Sequence, residues 1–289
     1  MRAQGEGTIT KVTPEQAAMS SKATVRFLGT AFTDDPRTLR KARELGLTGW
    51  AFFVAGLGAA LGDVPAEIVT AAIGFISPDA VRDAWDAARK VRPIDEIAAL
   101  NLAECRRWGH EKLDGFGATP RLADLAARVV ASADATGMPL FAAWRAASDR
   151  WLGSPTSAER PGAAVAVLMH LLRQHRAGAH VLAVRAAGLT PLQAIVAGPD
   201  GESGAIAFGW QQPYPQPAPL LRRWLWAEAV TERIAGEAFA GLDPYERVEF
   251  VGLLTGAMDL AQLPTGELPQ VRVPPATASS IGLGAPGGF

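Results

Sequence analysis

A single cysteine, Cys105, stands in a chain of 289 residues. One thiol excludes a disulfide framework and any zinc site built from several thiolates. A dominant charge is also missing: 28 basic residues face 29 acidic ones, for a formal net charge of −1. With no global positive field, nucleic acid is a partner that the composition does not favour. Lysine is confined to positions 11, 22, 41, 90 and 112, so the basic side chains are mostly arginine. Long apolar runs are absent as well. The longest, Trp50 to Leu61, halts at Asp63 and is too short to span a bilayer. The opening residues MRAQGEGTITK hold no apolar segment of the kind that directs secretion. The expectation is a cytoplasmic protein that does not use a membrane. Neither a P-loop nor a strand-led G-x-G-x-x-G occurs, so nucleotide-binding loops lack support and no particular cofactor is implied.

What the chain does contain is helix punctuation. Asp34 or Asp35 caps a segment that opens at Pro36 and ends before Gly46, and Ser77-Pro78-Asp79 supplies a cap and first turn for another. Leu47–Leu61 is apolar nearly all round, which suits a buried helix. Helical periodicity continues through Pro65–Phe75, Ile94–Gly115, Thr119–Thr136, Pro139–Leu152 and Ala163–Ala187, with a weak point at Ala177-Gly178-Ala179. A short helix starts at Thr190-Pro191. Four prolines within Gly209–Pro219 forbid regular structure, and two last helices follow over Leu220–Ala240 and Asp243–Leu260. No period-2 strand pattern is evident, so the predicted class is all-α. The expected organisation is a loose N-terminal arm (1–20) and a helical lobe (21–153). A turn-rich connector at Ser154–Pro161 then leads to a second lobe (154–262) and a disordered Pro/Gly/Ser/Thr-rich tail (263–289).

Several segments carry a resemblance. Thr48–Gly62 (TGWAFFVAGLGAALG), Val64-Pro65-Ala66, Ser77-Pro78 and Pro139–Ala143 lead to the most specific stretch, Leu172–Val181 (LRQHRAGAHV), closing at Ala187-Gly188-Leu189. Over about Phe32–Trp210 the chain resembles the SalK-like actinobacterial helix-turn-helix proteins, as a divergent member. The helix starting at Leu242-Asp243-Pro244 is similar to the closing dimerisation helix of MarR-type regulators. The resemblance implies winged-helix ancestry, and the two amphipathic helices over Leu220–Leu260, rich in Trp, Leu and Val, are expected to form a homodimer. Departures from the family bear on the polar site: Lys22–Thr30 holds no histidine, Leu57 stands where relatives have arginine, and Ala177-Gly178-Ala179 replaces Gly-Asp-Gly. After Trp210 the Gln/Pro-rich stretch takes the place of the wing, so the wing is expected to be reduced or missing.

Candidate chemistry gathers in one helix. His170, His175 and His180 recur every five residues, about 140° apart at 100° per residue, and so cannot share a metal from one unbroken helix. Arg173, Arg176 and His180 instead fall within about 60° of one another. Two guanidiniums and an imidazole there suit a carboxylate or phosphate, with His180 as the residue to transfer a proton. His175 and the aromatic pair Trp50 and Phe53 complete the candidate ligand-binding set. The same face also reads as a basic surface bridged to acidic helices, and the aromatics as core. Cys105 beside Arg106 and Arg107 reads as a lowered-pKa thiol or as a small core residue. Three functions stay open: a small-molecule-binding protein or secondary-metabolism enzyme taking an anionic or planar ligand, a MarR-like DNA-binding regulator, and a scaffold whose polar site has decayed.

Overall fold

The computed structural model describes residues 12–262, with the backbone of two short strands beyond them. Side-chain caps set six of the fourteen α-helix starts among the described residues. Thr13 and Gln16 form a reciprocal capping box at the head of α1 (Pro14–Leu28). The arm expected over 1–20 is therefore helical from Pro14, because that box and the buried Ala17, Ala18 and Ser21 anchor it; residues 1–11 lie outside the described residues. Asp35, through its side chain, caps α2 (Pro36–Glu44), Thr48 caps α3 (Gly49–Gly58), and Ser77 caps α5 (Pro78–Val91), which follows α4 (Ala66–Ile73). Then come α6 (Ile94–Leu113), α7 (Thr119–Ser132), α8 (Pro139–Leu152) and the one-turn α9 (Pro155–Glu159).

Helix α10 (Pro161–Ala186) runs unbroken through Gly178, where a weak point was expected. Its interior position explains this. The Met138 side chain packs where a Cβ on Gly178 would sit, and flanking helices hold the segment straight. Two short helices follow, α11 (Pro191–Ala197) with a Thr190–Gln193 capping box, and α12 (Gly201–Ala207). Residues 211–220 form no strand, and the chain re-enters helix at α13 (Leu221–Glu237) and α14 (Pro244–Ala261), the latter boxed by Asp243 and Glu246. The fold is all-α apart from one ribbon in the region expected to be a disordered tail. There β1 (Val271–Val273) and β2 (Ile281–Leu283) pair antiparallel, Val271 opposite Leu283; the rest of 263–289 lies outside the described residues.

The main core is built on α10. It packs against α6, α7 and α8 on one side and α1 and α13 on the other, around Phe141, Trp144, Met169 and Phe250. The connector at 154–161, expected to mark a lobe boundary, thus lies between elements of one continuous core: α10 is apolar on most of its circumference, and neither half alone could cover it. A second cluster gathers α2 to α5 around Phe52 and Trp85, and a third joins α11 and α12 to the start of α13 through Ile195 and Leu220. The indole of Trp144 donates to the Leu57 carbonyl at 2.9 Å, tying the first two clusters together. No single helix among the described residues is long and apolar enough to cross a membrane.

Helices α6 and α10 approach through glycine. A Cβ on Gly109 would lie 2.4 Å from the Gly162 carbonyl oxygen and 2.5 Å from the Ala166 Cβ. Alanine would improve helix propensity by about 1 kcal/mol, but overpacking so tight a crossing costs about 1–3 kcal/mol. Gly109→Ala is therefore expected to lower Tm by several degrees in a thermal melt; an unchanged or higher Tm would show that the crossing can yield.

Candidate functional site

Three helices each bring polar residues three or four apart into one seam: Lys22 and Arg26 on α1, Arg173, Arg176 and His180 on α10, and Glu228, Thr231 and Glu232 on α13. The predicted α10 face exists, but its members meet different partners. Arg176 makes a forked pair with Glu232, Nη1 to Oε2 at 3.0 Å and Nη2 to Oε1 at 2.8 Å. Glu228 lies 3.7 Å from the same guanidinium and binds Lys22 at 2.7 Å. Arg176 is thus clamped by carboxylates, as the reading of a bridged basic face anticipated.

His180 is buried among the same groups. Its Nδ1 is 3.0 Å from the Thr231 hydroxyl and 3.3 Å from Glu228 Oε1, and its ring stacks on Phe75 with centroids 5.1 Å apart. Thr231 spends its only proton on the Ala227 carbonyl at 2.7 Å, so in this contact it accepts. His180 therefore carries its proton on Nδ1. Burial pushes its pKa down to about 4, against the opposing pull of Glu228, so the ring is neutral at pH 7.

Arg173 differs from its two neighbours. Only half-buried by surface area, its guanidinium forms no hydrogen bond or ion pair with any described residue. Burial first, and the positive charge of Arg26 second, push its pKa down to about 10. No carboxylate opposes that shift. Glu228 and Glu232 thus take Lys22 and Arg176, and Arg173 lies beside Arg26 at the other end of the seam.

The remaining candidates go elsewhere. His175 sits edge-on to Phe141 with its ring held by the Asp134 backbone carbonyl, and His170 donates to the Gly29 carbonyl at 3.2 Å between Phe32 and Trp144. Burial pushes each of these to about 4. Among the described residues no group of three His, Cys, Asp or Glu side chains gathers at metal-binding range. Trp50 and Phe53 pack on each other, centroids 5.7 Å apart, in the α2–α5 cluster. Cys105 is fully buried, and burial pushes its thiol up despite Arg106, so it is a core residue. The residues that sequence reasoning passed over are Lys22, Arg26, Glu228, Thr231 and Glu232. The i, i+4 pairs on α1 and α13 were the available signal. A separate concavity of about 710 Å³ lies between α7, α8 and α10, lined mostly by small apolar side chains with Arg145 and Asp149 at its edge.

Two helical hairpins flank the seam, α4–α5 and α11–α12, and they are joined to each other. The Ser77 amide donates to Phe208 O at 2.9 Å, and the Trp210 indole donates to Phe75 O at 2.8 Å. On the outer side of α5, Arg82 pairs with Asp79 and Glu67, and Arg89 with Asp63; α12 carries Glu202 and no basic residue. Residues 20–233 match the model of a helix-turn-helix family. The chain belongs to that family. The matched span takes in both hairpins, the seam and most of α13, and ends before α14. No curated protein and no solved structure matches the chain.

The three buried histidines set a pH dependence. In the unfolded chain they titrate near 6.5, whereas the folded protein resists protonation until about 4. Between those values the unfolded state binds more protons, so stability falls as pH falls. Asp34, raised by burial to about 6, acts in the opposite sense, one group against three. Tm is expected to drop by several degrees between pH 7 and pH 5 at constant ionic strength; a flat profile contradicts the neutral, buried assignment.

Proposed function

We propose that this member of the helix-turn-helix family is a SalK-like helical protein that binds a small anionic ligand, a carboxylate or phosphate, at the Arg26–Arg173 end of the seam. The observation that carries the reading is Arg173, a guanidinium drawn off water, set beside a second arginine and left without a carboxylate. A partly desolvated cation of this kind costs stability unless an anion meets it. Arg176 and His180 then serve as the ordered wall of the site, clamped by α13 and not available to grip the ligand themselves. Neutral His180, fixed in its Nδ1–H form, is the proton-transfer candidate should the protein act on what it binds.

The test is thermal shift with phosphate or small carboxylates against chloride at matched ionic strength. A ligand at a hundred times its Kd stabilises by about 2.7 kcal/mol, a rise of about 4–5 °C for a chain of this size. Arg173→Met is expected to abolish that rise while leaving Tm in chloride no lower than that of the original protein. Equal responses from both proteins would sink the reading.

A second reading rests on the family match, which covers both hairpins: a MarR-like DNA-binding regulator. The ion-paired arginines of α5 and the acidic α12 weigh against it, since a recognition helix needs basic groups available to phosphate. Anisotropy with duplex DNA is expected to show no binding tighter than micromolar at 50 mM salt. Nanomolar affinity that collapses by 200 mM would reverse the ranking.

A further inference from the structure

Helix α13 turns Ala227, Thr231 and Ala235 inward and leaves the opposite side open. That outer side is patterned. Arg222, Trp226, Ala229, Arg233 and Glu237 are all exposed and, at 100° per residue, fall within about 80° of arc. Trp226 is 50 % exposed and Leu225, at the border of the stripe, 56 %. Helix α1 runs antiparallel beside α13, with Glu15 against Gly236 and Lys22 on Glu228, which brings Met19, 57 % exposed, alongside. An indole, a leucine and a methionine held in water on neighbouring helices make a patch of the kind that marks an interface.

The charges say which partner fits. Arg222 stands near the start of the helix and Glu237 at its end, and neither forms a hydrogen bond or ion pair with any described residue. The point midway between them falls between Ala229 and Val230, the narrowest part of the stripe. A two-fold axis there sets a second α13 antiparallel to the first. Arg222 of each copy then meets Glu237 of the other, about 22 Å apart along the helix, and Trp226 of each meets the aliphatic stem and guanidinium of Arg233 of the other. A parallel pairing would set Arg222 against Arg222 and Glu237 against Glu237.

We propose that two copies of this chain associate through the outer face of α13 in this antiparallel register. The interface is isologous, with small Ala229 at the crossing and the aromatic and charged groups spaced symmetrically about it. Family membership plays no part in this placement, and the ligand reading stands or falls separately.

Sedimentation of the full chain at tens of micromolar is the test. The expected species has twice the 30.4 kDa chain mass. Trp226→Ala, Arg222→Glu and Glu237→Arg are each expected to raise the dimer Kd at least about tenfold with helical content unchanged. The double variant Arg222→Glu with Glu237→Arg exchanges both charges and is expected to restore the dimer. A monomeric original protein overturns the proposal. So does a dimer indifferent to all three single substitutions, or a double variant that stays as weak as the singles.

Discussion

The burial of α10 is the constraint on which the rest of this structure depends. Twenty-six residues of helix pass through the centre of the molecule with apolar side chains on most sides, so other helices, chiefly α1, α6, α7, α8 and α13, must lie against it. The close crossing with α6 through Gly109 and Gly162 brings two backbones together with no room for a Cβ at either position. Where α10 carries polar groups inward, each must be met. Gly29, Asp134 and Thr231 answer the three histidines, and Glu232 answers Arg176. Arg173 is the exception, and the functional reading grows from it.

The electrostatics of the seam turn on which cations its two carboxylates reach. Glu228 and Glu232 sit one turn apart on α13 and can neutralise two cations, and they take Lys22 and Arg176. Arg173 lies one turn farther along α10 beside Arg26, outside the reach of either carboxylate. In a partly desolvated setting such a charge either lowers stability or is balanced by something that is not this chain. The same clamp explains why Arg176 and His180, adjacent to Arg173 on one helical face, differ from it so completely in chemistry.

Much of the architecture was legible because it rests on local rules. Ser77 and Asp243 cap the helices they were expected to cap, Asp35 is the one of two candidates that caps α2, and the four prolines of 213–219 keep that stretch irregular. Helix α1 begins earlier than periodicity indicates, since Pro14–Ala18 shows little of it and is held by a capping box and by packing against α13 and α14. Helix α12 is not legible in GESGAIA, which has two glycines and a serine and so weak propensity, and is held by tertiary contact with α11. The 271–273 and 281–283 ribbon is hidden for a related reason, as three-residue strands are too short to display alternation.

By itself, the sequence determined the helical class, most helix boundaries, and the alignment of Arg173, Arg176 and His180 on one face, because each follows from spacing along a single helix. Only the tertiary structure decided that these three residues take different partners. Which cation meets a carboxylate depends on α1 and α13, about 150 positions before α10 and about 50 after it, and no periodicity within α10 encodes where those helices lie. The same reason sends Trp50 and Phe53 into another cluster, and decides which of Trp224 and Trp226, two apart and so on different sides of their helix, is left in water.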